Sequence, residues 1–155
     1  MSRAFRRWGL GLLLTCAVAG TAAAQHRPHI GGHLLYNFDA EEFGIGAQFT
    51  YPLSQRLEFY PSFDYYFVDP GSLWQLNGDI KYQLRERGDW FYVGGGIAIA
   101  RASFGSFSNS DVGANILAGW ETLIGKKVHP YIEGRLTVGD GSSFQVAGGL
   151  NITIF

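Results

Sequence analysis

The sequence predicts an all-β chain, an eight-stranded antiparallel up-and-down transmembrane β-barrel with its apolar face outward. Three observations carry that expectation: long segments of period-two alternation, no later apolar run fit for a membrane helix, and an N-terminal export signal. The clearest alternation is Leu73 to Arg85, where Trp74, Leu76, Gly78, Ile80, Tyr82 and Leu84 oppose Gln75, Asn77, Asp79, Lys81, Gln83 and Arg85. Successive side chains of a strand point to opposite faces, so one face is apolar and the other charged. A tilted strand needs about 9–11 residues to cross a bilayer, and this segment is long enough.

Arg3, Arg6 and Arg7 precede the apolar run Leu10 to Leu14, and small residues continue to Ala24. This pattern reads as a secretory signal over residues 1–24, leaving 25–155 as one barrel domain. Leu13-Leu14-Thr15-Cys16 faintly resembles a lipoprotein box, but Thr15 is a poor residue before the cysteine. Arg6-Arg7 could suggest the twin-arginine route, which carries folded proteins, whereas a barrel of this kind crosses unfolded. Cys16 is the only cysteine and leaves with the leader, so the mature chain has no disulfide and no thiolate site. Without the three leader arginines the 12 basic residues fall to nine against 13 acidic ones, a formal charge of −4. A nucleic-acid-binding surface would be basic, so that class of partner is excluded.

In order, the first strand covers His29 to Asn37, with Ile30, Gly32, Leu34 and Tyr36 opposed to His29, Gly31, His33 and Asn37, and Asp39 to Glu42 forms its turn. The second, Phe43 to about Leu53, turns outward Phe43, Ile45, Ala47, Phe49 and Tyr51, and Ser54-Gln55 reverses it. The third, Arg56 to Val68, places Glu58, Tyr60, Ser62, Asp64 and Tyr66 inside, and Pro61 is expected to mark a bulge because it cannot donate to the ladder. Asp69 to Ser72 leads into the fourth strand, and Glu86 to Asp89 follows it. The fifth runs from Trp90 to about Ser103, and Phe104 to Ser110 is expected as the longest connection. The sixth, Asp111 to Ile124, puts Asn115, Gly119 and Glu121 inside, before a Gly125-Lys126-Lys127 turn. The seventh, Val128 to Gly139, carries His129, Tyr131, Glu133, Arg135 and Thr137 inward, and Asp140-Gly141-Ser142 is a compact hairpin turn. The eighth presents Phe144, Val146, Leu150, Ile152 and Ile154 outward against Gln145, Ala147, Asn151 and Thr153. An even strand count with short turns lets the first and last strands pair and leaves no edge.

With its export signal, eight alternating strands, aromatic flanks and terminal Phe155, the chain resembles the small outer-membrane barrels of Gram-negative bacteria, of the OmpX family and the transmembrane half of the OmpA family. The resemblance covers Gln25 to Phe155 and implies residence in the outer membrane, contact with its lipid and lipopolysaccharide, and recognition of the last strand by the barrel-assembly machinery through Phe155. Alternate positions counted back from the end are Thr153 and Asn151, where such barrels usually keep apolar residues. The resemblance also implies both termini in the periplasm and the turns at 39–42, 69–72, 104–110 and 140–142 outside. Phe43, Phe67, Trp74 and Phe144 would then form an outer aromatic girdle, with Tyr51, Tyr82, Trp120 and Phe155 at the inner one.

The inward set contains Glu58, Asp64, Asp79, Lys81, Arg85, Glu121, Glu133 and Arg135. Side chains fill an eight-stranded interior, so mixed charges there must pair. A network that staples the barrel therefore accounts for them better than an ion path, with Lys81, Arg85 and Arg135 as the cations around which the acids gather. His26, His29 and His33 invite a metal reading, yet His29 and His33 lie about 13 Å apart along a strand, too far to share an ion. No metal or cofactor is expected. His33 with Ser62 and Glu58 or Asp64 can be drawn as a hydrolytic set, as in a lipid A deacylase or palmitoyltransferase, but the chain holds no motif of either enzyme. Gly94-Gly95-Gly96 precedes alternating Ile97 to Ala100 rather than a helix, so it is packing or curvature and not a phosphate loop. The expected function is non-enzymatic, structural or surface-interacting, with lipid A modification or carriage of small apolar molecules as the alternatives. Short outer loops weigh against adhesion, and a carrier would require an apolar interior.

Overall fold

A computed structural model describes residues 27–84 and 90–154. The expected leader, His26, Arg85, the Glu86 to Asp89 turn and Phe155 lie outside the described residues. Eight antiparallel strands form a closed barrel in sequence order: β1 (His29–Asn37), β2 (Glu42–Pro52), β3 (Leu57–Tyr66), β4 (Ser72–Gln83), β5 (Trp90–Phe104), β6 (Phe107–Glu121), β7 (Val128–Gly139) and β8 (Ser143–Thr153). Closure runs through β1 and β8, which pair from His29↔Thr153 to Asn37↔Gln145. The turns near 39–41, 67–71, 105–106 and 140–142 share one end, called here the hairpin end. Residues 27 and 154 lie at the other, the terminal end, where Pro28 accepts from the Ile154 N–H at 2.9 Å.

The barrel is inside-out relative to a water-soluble one. Its outward faces are apolar and exposed on every strand, among them Leu34, Ile45, Phe63, Leu76, Ile97, Ile116, Ile132 and Leu150. Its interior holds Asp64, Asp79, Lys81, Glu133 and Arg135, all nearly inaccessible. Exposed apolar patches on soluble monomers seldom exceed a few hundred Å². A belt that encircles the whole molecule has no such account.

Local chemistry fixes the reversals. Asn37 Oδ1 accepts from the N–H groups of Asp39 and Ala40, both at 3.0 Å, and Asp39 Oδ2 accepts from Phe144 N–H at 2.6 Å, which ties the first turn to β8. Small inward residues make room for the charged interior: a Cβ at Gly46 would collide with the His33 ring and Asp64, and one at Gly119 with the Tyr92 ring. The glycines of 94–96 lie on β5 opposite Lys81, Ile80 and Asp79.

Three expectations need correction. The segment 104–110 is not the longest connection. Strands β5 and β6 continue through it, pairing as far as Phe104↔Phe107, and only Gly105 and Ser106 turn the chain. Gly105 has φ 58°, the positive value that a tight hairpin asks of its first central residue. Next, β6 starts at Phe107 and stops at Glu121, so its far turn is longer than Gly125 to Lys127 and is tied by an isolated bridge, Ile124↔Val128. Finally, Pro61 makes no bulge. Gln48↔Ser62 and Tyr51↔Phe59 flank two residues on each strand that pass without a ladder pair, so the missing donor costs local bonds while the register survives. Toward β4 the register runs unbroken through Pro61↔Gly78.

Candidate functional site: the polar lumen

Alternation brings seven of the eight charged candidates into one interior. Glu58 and Asp64 come from β3, Asp79 and Lys81 from β4, Glu121 from β6, and Glu133 and Arg135 from β7. All seven are at most 5% exposed. Arg85 lies outside the described residues.

Arg135 is the hub of the middle layer. Its Nη2 lies 3.1 Å from Asp79 and 3.0 Å from Glu133, and its Nη1 lies 3.4 Å from Asp64 and 3.3 Å from Ser62 Oγ. Asp64 also accepts from Asn77 at 3.0 Å and Gln145 at 3.3 Å, and pairs with His33 Nε2 at 2.8 Å. Asn115 donates to Asp79 at 2.9 Å and to Asn77 at 3.0 Å, and accepts from Thr137 Oγ1 at 2.8 Å. Nearer the hairpin end, Tyr66 donates to Gln145. These bonds join residues of β1, β3, β4, β6, β7 and β8 across the bore. The arrangement fills the cross-section with fixed polar groups.

Lys81 is held differently. Its Nζ sits 3.3 Å from the centroid of the Tyr60 ring and 4.2 Å from that of Tyr92, with Glu133 at 3.8 Å. Ring faces carry negative potential, so they stabilise a desolvated ammonium without accepting a conventional bond. Toward the terminal end, Gln83 donates to Glu58 at 2.8 Å, Tyr92 to Glu133 at 2.9 Å, and Asn151 to Glu121 at 3.4 Å. His129 Nδ1 faces Glu121 at 3.3 Å, its Nε2 meets Thr153 Oγ1 at 3.0 Å, and its ring packs on His29 at 4.4 Å and stacks on Trp90 at 5.3 Å. Among the described residues no group of three potential ligands converges as a metal site.

Of the drawn hydrolytic set the His33–Asp64 pair forms, at 2.8 Å, but Ser62 does not join it. His33 uses Nε2 on Asp64 and Nδ1 on Gln48 Oε1 at 2.6 Å, while Ser62 Oγ accepts from Asn77 and Arg135. Glu58 bonds Gln83 instead. A nucleophile and its base must be within hydrogen-bond reach of each other, and here each is committed elsewhere.

The aromatic candidates fall into two bands. Phe43, Phe67 and Phe144 are exposed near the hairpin end and Trp74 is half-buried, packed 6.0 Å from Phe63. Tyr51 and Tyr82 are exposed near the terminal end and Trp120 is half-buried; Arg56 donates to the Tyr82 hydroxyl at 3.4 Å. Sequence reasoning missed Tyr36 and Phe38, whose rings join Phe43 at 4.8 Å and Phe144 at 5.6 Å. It also missed two inward leucines. Leu35 packs with Tyr66 and Ala147, and Leu117 with Tyr60 and Tyr92. An apolar residue at an inward position interrupts the alternation, and reading the whole strand's parity rather than each residue's polarity would have found both.

A shallow cleft of about 290 Å³ opens at the hairpin end between Asn37, Asp39, Gln75, Asp111, Thr137 and Asp140. Leu73, Ala98, Ala100 and Val112 line it beside these polar groups, so the cleft is of mixed character.

No family model and no curated protein matches the sequence. Solved structures match its fold. The N-terminal β-barrel domain of Pseudomonas aeruginosa OprF superposes with a TM-score of 0.69 at 18% identity, covering 84% of this chain and 98% of that one. Neisserial surface protein A gives 0.61 at 14% identity, covering 83% and 95%. Ail, the attachment invasion locus protein of Yersinia pestis, in complex with the heparin analogue sucrose octasulfate, gives 0.62 at 14% identity, covering 83% and 97%. The chain thus has the fold of the small eight-stranded outer-membrane barrels.

Proposed function

We propose that the protein is a non-enzymatic barrel of the Gram-negative outer membrane whose role is surface interaction, exercised by the β5–β6 hairpin. The observation that carries this reading is an open strand edge. Strand β5 is paired with β4 up to Ser72↔Ser103, but β6 meets β7 only from Gly113↔Gly139 onward, so Phe107 to Val112 project with one side unpaired. Barrels close to remove such edges, and unpaired backbone donors and acceptors are templates for an added strand. Phe107, 83% exposed, tips the hairpin, and Asp111 with Asp140 lies beside the edge.

Membrane residence is supported by the apolar outer belt, by the two aromatic bands, and by a backbone whose ladder is closed. The outer membrane as address, its lipid and lipopolysaccharide as surroundings, and the assembly machinery as partner of the last strand follow from the resemblance to barrels of that membrane. The non-enzymatic reading is supported by the commitment of His33 and Ser62 to separate partners.

The test is labelling of intact cells that carry Ser108→Cys, with a membrane-impermeant maleimide, alongside the lipid A profile of cells without the protein. Labelling without permeabilisation and an unchanged profile are expected. A cysteine reached only after permeabilisation would overturn the surface role, and an altered lipid A acylation pattern would overturn the non-enzymatic one.

A further inference from the structure

The glycines of this barrel fall into two groups. Those that face inward are forced: a Cβ at Gly31 would collide with Asn151, and one at Gly149 with the His33 side chain and the Gly32 carbonyl. Outward-facing Gly32 on β1 and Gly148 on β8 are not. A Cβ there would meet nothing closer than the Gly46 carbonyl at 3.5 Å and the Tyr131 carbonyl at 3.9 Å, ordinary contacts. Glycine in a strand interior costs conformational entropy and packs nothing, so barrel stability does not account for these two. What they produce is a groove. Gly32 and Gly148 floor a depression of about 650 Å³ across the β1–β8 seam, walled by Ile30, Leu34, Leu150 and Ile152.

Below the groove the charge changes character. Arg27, Arg56, Lys126 and Lys127 are exposed at the terminal end, and the described connections there hold no Asp or Glu. Arg27 and Lys127 flank the end of β8, since Thr153 N–H bonds the Lys127 carbonyl at 2.9 Å and Ile154 N–H bonds Pro28 beside Arg27. The hairpin end is the reverse: Asp39, Glu41, Glu42, Asp69, Asp111 and Asp140 oppose Arg101 alone among its described residues. From Arg27 to Gly32 is five residues, about 16 Å of strand. That is comparable with half of the ~30 Å hydrocarbon core, the depth to which one leaflet's chains reach.

We propose that this face holds one anionic phospholipid of phosphatidylglycerol chemistry, its phosphate on Arg27 and Lys127, and an acyl chain in the Gly32–Gly148 groove. The site deepens the membrane reading above and rests on it. Both halves of the ligand are matched: cations meet the phosphate and an unfilled apolar channel meets the chain. Residues 27 and 154 lie at this end, and the periplasmic termini that the resemblance implies select the phospholipid leaflet over lipid A as the source.

Native mass spectrometry of the refolded mature chain in detergent tests it, with phosphatidylglycerol, phosphatidylcholine and lipid A added in turn and the compact form verified by its gel shift on boiling. Retention of phosphatidylglycerol about tenfold over phosphatidylcholine is expected, given the electrostatic contribution of each basic residue near an anionic headgroup. Gly32→Leu with Gly148→Leu should lose retention and keep the gel shift, because both sites have room for a side chain. Arg27→Gln with Lys127→Gln should reduce phosphatidylglycerol to the phosphatidylcholine level. Gly78→Leu, outward on β4 with nothing within 4 Å of its Cβ, should retain the lipid. Equal retention of the two phospholipids by a folded chain, retention by the double leucine variant, or preference for lipid A would each overturn the assignment. A chain with no compact form would overturn the barrel reading instead.

Discussion

The two halves of the lumen solve the same problem by different means. In the half toward the hairpin end and the middle, Asp64, Asp79, Asn77, Asn115, Gln145 and Arg135 bond or pair with one another directly, and only Arg135 Nε and Asp79 Oδ2 lack a hydrogen-bond partner among the described side chains and backbone, the latter still ion-paired to Arg135 at 3.1 Å. Toward the terminal end, Lys81 rests on tyrosine faces, Thr50 Oγ1, Gln83 Oε1 and Trp90 Nε1 have no hydrogen-bond partner among the described side chains and backbone, and Glu121 Oε1 and His129 Nδ1 have only each other, at 3.3 Å. Removing a member from the first half strands several buried charges. Removing one from the second disturbs ring contacts and single bonds. The halves should therefore differ in what a substitution costs, even though both are equally buried.

Arg135→Met gives the largest expected loss, about 3–5 kcal/mol, because three carboxylates lose their shared cation while the volume is kept. Denaturant unfolding in bilayers measures it, and a loss under about 1 kcal/mol would mean that the middle layer does not hold the barrel. Asp64→Ala comes next at about 3 kcal/mol, since Arg135 keeps Asp79 and Glu133 but His33, Asn77 and Gln145 lose an acceptor. Lys81→Met should cost about 1–2 kcal/mol, the value of a desolvated cation–π contact, because Glu133 keeps Arg135 and Tyr92. A cost equal to that of Arg135→Met would erase the proposed difference between the halves. Glu121→Gln is the smallest, below about 1 kcal/mol, as it leaves the shape intact and removes only the His129 and Asn151 contacts. If it proved the most damaging of the four, the ranking would invert.

Much of this was legible along the chain. Strand parity placed Gln75, Asn77, Asp79, Lys81 and Gln83 inside and Leu76, Ile80 and Tyr82 outside, as β4 has them. The hairpin was not legible, because Phe104 to Ser110 has the Gly, Ser and Asn content of a loop, and only pairing with a partner strand turns it into ladder. Nor was the open edge: it arises because β7 ends at Gly139, six residues short of the hairpin's turn-proximal Phe107 on the paired β6. The drawn His33–Ser62 set failed for a related reason, since sharing a face says nothing of which neighbour a side chain selects.

What the sequence determined by itself is the period-two pattern, and with it the strand number, the inside-out sense and the list of groups that must share the bore. Those are local properties, because backbone pleat sends alternate residues to opposite faces whatever their partners. Only the closed barrel decided that Arg135 serves Asp64, Asp79 and Glu133 together, that Lys81 lies on Tyr60 and Tyr92, and that Gly32 and Gly148 line one depression across the seam. These depend on inter-strand register and on curvature around the bore, which join residues far apart in the chain and leave no mark in any one strand.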